Sequence, residues 1–337
     1  MSTTLVPSGI SQKYLWTVVD DAFGAGIGGS WVAMFLCGIC IAQAYHYFHA
    51  YSEDGLWTKV AAWTVTLMNL IHVIFVCGAN YFYLVKTARE QDIIAKAHVN
   101  WTLPAAIASH IIISGIVFSY YIFICYYLLS TKKSIVQKAA MVVLILAPIA
   151  AHVCLGITAV VKTCEIKSLF DVPSFRESTM IPMLSTQVIA DITISSMLCF
   201  ALPKPTHQIT RDVTRSIVVY TVSRGIITAV TALAELMMLV LAPKDLWFIA
   251  IEFIIPGLYA NSFFSALNTR RRIRKHLENS SNATPPMAIP LGFYRPRTDG
   301  DADDDDATSN GNPTLPKDGI QVEVYTIQKH DDPCEKA

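Results

Sequence analysis

Charge is what this sequence has least of. Asp, Glu, Lys and Arg make up 15% of its 337 residues while 53% are hydrophobic, whereas a soluble domain carries roughly a quarter charged residues. So few charges leave too little polar surface for water, so a lipid-facing surface is implied. A pair of soluble α/β domains is excluded as well, because the long apolar runs do not alternate with polar faces. A cleavable signal peptide is also missing. The first apolar stretch is preceded by Asp20 and Asp21 rather than by basic residues, and no convincing cleavage site follows. The first span is therefore expected to act as its own signal anchor. Cysteine gives no disulfide framework: Cys37, Cys40, Cys77, Cys125, Cys154 and Cys199 fall inside apolar spans, where the thiol is a small hydrophobe.

What is present is a series of long apolar runs. A helix needs about 20 mostly apolar residues to cross the hydrocarbon core, where every backbone polar group must be satisfied internally. Seven stretches meet that test, at 23–48, 57–84, 101–129, 138–161, 179–202, 215–241 and 245–267. The fold class predicted is all-α, a polytopic membrane bundle of seven transmembrane helices with a disordered C-terminal tail. The fifth stretch is the weakest, since Ser185, Thr186, Gln187, Asp191, Thr193, Ser195 and Ser196 can lie in a membrane only against other helices; losing it leaves six spans. Trp57, Trp101 and Trp247 stand near helix starts, where interface anchors belong. Gly24, Ala25, Gly28 and Gly29 form overlapping small-x-x-x-small patterns that allow close helix approach.

Orientation follows from Lys and Arg flanking the spans. With the N-terminus outside, 12 fall on the cytosolic side and 8 on the other. The bias rests mainly on Arg270, Arg271, Arg272, Arg274 and Lys275, a basic cluster placed to meet anionic lipid headgroups or to act as a plain stop-transfer anchor. The sequon Asn100-Trp101-Thr102 then lies outside but abuts the third helix. The organisation expected is an outer segment at 1–22, the helical domain at 23–267, a basic juxtamembrane segment at 268–278 and a cytosolic tail at 279–337. That tail is rich in Pro, Ser, Asn and Asp and cannot bury enough apolar surface to fold alone.

Ionisable groups inside membrane spans are costly and face a bundle interior or cavity, which makes them candidates for function. Here they are His72, His110, His152, Asp191, Arg224, Glu235 and Glu252. Counted by helical rise, most lie within roughly two turns of one another in the outer half. His72, His110, His152, Asp191, Glu235 and Glu252 are thus a candidate ligand pocket open to the outside, against the plainer reading of separate hydrogen-bonded packing contacts. Arg224 lies deeper and is placed to pair with Asp191. No lysine occurs in the seventh stretch, which excludes a retinal Schiff base. No His-x-x-x-His pair occurs on any helix, which leaves a metalloenzyme the least favoured class. His110 and His152 are the only histidine pair at matched depth for a haem. No catalytic residue, metal or cofactor is assigned.

The run Tyr220-Thr221 through Gly225, the run Leu241 to Trp247, and above all Ile255-Pro256-Gly257-Leu258-Tyr259-Ala260-Asn261-Ser262 followed by Leu267-Asn268-Thr269-Arg270 resemble the fungal seven-helix proteins of the domain-of-unknown-function 6534 family. Gln43 to Phe48, Asn69 with His72, and Asp191 are similar too, so the resemblance covers most of 23–270. The third helix departs from it, because Phe123 to Ser130 lacks the expected basic residue. The resemblance implies a basidiomycete membrane protein and brings no activity with it. Within the signature, Pro256, Tyr259, Asn261, Ser262 and Asn268 read as structural. Proline loosens a helix, and the polar side chains satisfy the backbone groups it frees.

The functional expectation is receptor-like: an outward polar pocket for a small molecule, a lipid bilayer around it, and a tail and loops open to a cytosolic protein. Nucleic acid is not an expected partner. The Asp/Glu-Arg-Tyr and Asn-Pro-x-x-Tyr signatures of familiar receptors are absent, as is a cysteine placed to pair with Cys164. The alternative is a transporter or channel using the intramembrane charges. The membrane expected is the plasma membrane or an endomembrane.

Overall fold

The computed structural model describes residues 12–86, 99–129, 135–168, 173–201, 208–242 and 247–279, with side chains at 24–85, 99–126, 142–168, 174–199, 225–242 and 247–269. Its helices are α1 (Gln12–Ala50), α2 (Leu56–Tyr81), α3 (Thr102–Leu129), α4 (Ile135–Glu165), α5 (Ile181–Ala201), α6 (Gln208–Leu241) and α7 (Trp247–Asn279). A π-helical turn, Phe82–Lys86, extends α2, and a short helical turn, Pro173–Phe175, with a second π-helical turn, Arg176–Met180, leads into α5. No strand occurs among the described residues.

The chain folds as an all-α bundle. Each helix packs on its neighbours in sequence, α1 closes the ring against α7, and α3 reaches across to α5 and α7. Helix α7 is the most enclosed: 78% of its apolar span is buried, against 28% for α2 and α4. Phe253, Ile255, Tyr259, Phe263, Phe264 and Leu267 bury there on nearly every side, as expected of an apolar helix at a bundle centre. Conversely Trp31, Phe35, Trp63, Leu67, Ile74, Leu144 and Val230 stand exposed on the outer faces, a continuous apolar exterior that only lipid accommodates.

Six helical segments are long and apolar enough to cross a membrane, at Gly24–Ala50, Leu56–Val85, Thr102–Tyr126, Val142–Glu165, Arg176–Cys199 and Trp247–Thr269. The seventh, Gly225–Leu241 in α6, is a shorter apolar helix among the described residues. The segment is the described part of a helix that itself runs Gln208–Leu241, and the fifth stretch, the weakest in the sequence, is among the six long enough to cross. The fifth holds because its hydroxyls return to their own helix. Ser185 Oγ donates to the Ile181 carbonyl at 2.7 Å, Thr186 Oγ1 to that of Met183 at 2.8 Å and Thr193 Oγ1 to that of Ile189 at 2.7 Å. Such back-bonding removes the cost of a hydroxyl in lipid, and Gln187 and Asp191 turn inward and are buried.

Two contacts fix α1 against α7. Asn261 Nδ2 donates to the Leu36 carbonyl at 2.8 Å and Asn268 Nδ2 to the Gln43 carbonyl at 2.9 Å. Gly29 lets the two backbones touch, since a Cβ there would stand 2.5 Å from the Ala250 carbonyl oxygen. Helix α7 runs on through Asn279, so the backbone of the basic cluster Arg270, Arg271, Arg272, Arg274 and Lys275 continues the helix, while their side chains lie outside the described residues. The Arg224 side chain and residues 280–337 lie outside them too.

Candidate functional site

The ionisable side chains converge, but they are sealed in. His72, His110 and His152 are 0% exposed, Glu235 2%, Asp191 5% and Glu252 7%. The centre is a hydrogen bond across α3 and α7: His110 Nδ1 lies 2.8 Å from Glu252 Oε1. Glu235 of α6 adjoins Glu252, and His152 of α4 lies against His110 with 6.0 Å between ring centroids.

The other partners explain how each ring is held. His72 Nε2 lies 3.2 Å from the Phe253 carbonyl of α7. Its Nδ1 is 3.0 Å from Ser109 Oγ and 3.2 Å from the Ala106 carbonyl, to which Ser109 Oγ donates at 2.7 Å. His72 thus fastens α2 to α3 and α7. His152 places Nδ1 3.3 Å from the Met183 carbonyl and Nε2 3.3 Å from Ser114 Oγ, so it ties α4 to α5 and α3. Both of its ring nitrogens thus have protein partners. Among the described residues no three His, Cys, Asp or Glu side chains are placed to share a metal ion.

A second polar group lies deeper, linked to the first by Tyr259. Its hydroxyl donates to Asp191 Oδ2 at 2.6 Å, and its ring stacks on His110 at 6.2 Å and meets Phe118 edge-on at 5.3 Å. Tyr121 Oη stands 2.9 Å from Ser262 Oγ beyond it. Sequence reasoning took Tyr259 for a structural residue of the signature and passed over Gln187, which is fully buried beside it. The inward polar stripe on α5 was the signal that marked Gln187.

Two small cavities serve these groups. One, of about 40 Å³, lies between Glu235 and Glu252 and is otherwise walled mainly by apolar residues including Leu103, Phe175, Met183 and Phe248. The other, of about 20 Å³, lies beside Asp191, Tyr259, Ser195, Thr228 and Ser262. A water needs roughly 10–15 Å³ of such space, so each has room for only one or a few waters. Among the described residues the six groups expected to form an outward pocket are buried side chains beside small cavities. Glu235 and Glu252 lie within hydrogen-bonding reach of one another, while His110 Nε2 is buried without a hydrogen-bond partner, which costs free energy unless water or a bound species completes it. A much larger recess, of about 780 Å³, runs outside this core along α3 between α2 and α4, lined by residues such as Trp57, Ile112, Gly115, Phe123 and Ile157.

The fold and its apolar exterior define an integral, multi-pass membrane protein with a buried charged core. Residues 187–272, from α5 through the start of the basic cluster, match the sequence profile of a family of unknown function (DUF6534). That segment carries Asp191, Glu235, Glu252 and Tyr259, whereas the three histidines lie before it. No curated protein and no solved structure matches the chain significantly.

Proposed function

We propose that this protein is a transporter or channel for a small cation, with Glu235, Glu252, His110 and Asp191 on the path, in preference to a receptor with an open polar pocket. The observation that carries the reading is the water-sized cavity between two buried carboxylates inside the bundle. Pockets for drug-sized ligands run to about 300–1,000 Å³, far above it. Ionisable groups retained in a membrane interior typically line ion or proton pathways, and the Asp191 cavity continues the polar line on the far side of Tyr259. A receptor reading has one observation in its favour: the apolar groove along α3 has the volume for a lipid-like ligand arriving from the bilayer.

The proposal includes seven crossings. Helix α6 has 34 residues, about 50 Å at about 1.5 Å per residue, against a core of about 30 Å. Its Gly225 and Thr228 flank the Asp191 cavity and its Glu235 the other, as in a helix running through the bundle. An odd number of crossings with the Lys and Arg bias puts the N-terminus at 1–22 outside. The basic segment 268–278 and the tail 279–337 are then cytosolic, in the plasma membrane or an endomembrane, with loops and tail free for a cytosolic partner. A fungal origin accompanies the family resemblance.

Reconstitution of the full chain in liposomes, with charge movement recorded across imposed ion gradients, tests the reading. Wild type is expected to move charge, and Glu252→Gln and Asp191→Asn to reduce it at least tenfold. A silent wild type under every small-cation gradient, together with ligand-dependent recruitment of a cytosolic partner, would leave the receptor reading standing instead.

A further inference from the structure

We propose that Glu235 of α6 and Glu252 of α7, on the wall of this small cavity, form a proton-binding site in which the two carboxyl groups share an exchangeable proton beside His110. This deepens the cation-transport reading and rests on it only for the idea that the bound ion moves.

The site has the features of a built one. Both glutamates are more than nine-tenths buried, both line the cavity, and their carboxyl groups lie within hydrogen-bonding reach of one another. Two carboxylates and one imidazole are in contact, so the charge count matters. Net charge in the hydrocarbon layer is expensive, so two adjacent carboxylates there are relieved by one proton held between them. The transfer balances simply. The O–H bond of one carboxyl group breaks as its proton forms a new O–H bond on the facing carboxylate, leaving a carboxylate behind.

The cavity suits a proton better than a metal cation. Divalent ions want six or more oxygen ligands. Apart from the two carboxyl groups the wall supplies only Thr163, whose hydroxyl already donates to the Ala159 carbonyl at 2.7 Å. A volume of about 40 Å³ admits no more than about three or four waters to make up the shell. Among the described residues the titratable groups facing the pair are His110 from α3, His72 from α2 and, beyond His110, His152 from α4. Asp191 of α5 reaches it only through Tyr259. Phe175 and Met180, from the turns that precede α5, close the cavity at the end where α7 begins. Lys162 Nζ holds those turns to α4 by donating to Thr179 Oγ1 at 2.8 Å.

Infrared difference spectroscopy of the full chain in liposomes, recorded between two pH values, reads the site. Wild type is expected to show a protonated-carboxyl stretch that responds to pH, shifts in heavy water and is lost in Glu235→Gln, with Glu252→Gln shifting whatever remains. A wild-type spectrum without such a band overturns the proposal. So does a band that persists unchanged in both variants with native helix content, or one that responds to added sodium, magnesium or calcium at constant pH. The band behaving as expected in protein that moves no charge upholds the proton site and sinks the transport reading, so the two fail separately.

Discussion

Tyr259 touches both halves of the buried polar set, and its hydroxyl is the one group that links them. Replacing it with Phe leaves the ring against His110 and Phe118 but strips Asp191 of a donor at 2.6 Å. Interhelical hydrogen bonds in membranes average about 0.6 kcal/mol and reach about 1.7, and a short bond to a buried carboxyl belongs at the upper end. Tyr259→Phe is therefore expected to destabilise the purified protein by about 1–2 kcal/mol, read as a lower midpoint of thermal unfolding in detergent. Tyr121→Phe is the control. Ser262 keeps other options for its hydroxyl, so the loss should be roughly 0.5 kcal/mol. Equal losses in the two variants would mean that Asp191 does not depend on Tyr259. The candidate residues were legible as types, since a charged or imidazole group in an apolar run is conspicuous. Their partners were not: His110 and Glu252 are 142 positions apart, and no local pattern pairs them.

At the scale of helices, the glycines of α1 separate what a pattern offers from what packing uses. Gly24, Gly28 and Gly29 all belong to small-x-x-x-small patterns, yet a Cβ at Gly24 or Gly28 would meet nothing within 4 Å, while one at Gly29 would stand 2.7 Å from Ala250 Cα. Backbone cannot step aside as a side chain can. Gly29→Ala is expected to push α1 from α7 and cost about 1–3 kcal/mol, the usual range for overpacking. Gly28→Ala should be neutral or slightly stabilising, because alanine is the better helix former. Thermal unfolding of the pair measures the difference; matching midpoints would refute the close contact. The fifth span teaches the same lesson from polarity. Its hydroxyls counted against it in the sequence, but a serine or threonine in a helix can return its proton to the preceding turn. Only Gln187 and Asp191 need the bundle.

For the whole molecule, the open matters are which way the bundle sits and whether α6 crosses. An N-terminal epitope tag is expected to be reached by antibody on intact cells, and a C-terminal tag only after permeabilisation. Both tags on one side would mean an even number of crossings and remove α6 from the membrane. The sequence by itself determined that the chain is an α-helical membrane protein. Hydrocarbon leaves backbone groups no partners but their own, so length and apolarity suffice to announce a span. Only the tertiary structure decided that the polar layer is buried, that His72 and His152 fasten helices, and that two glutamates from different helices line one small cavity. Those outcomes depend on which face each helix turns inward and how near its neighbour comes. Both are set by packing over the entire ring, down to a glycine against a carbonyl.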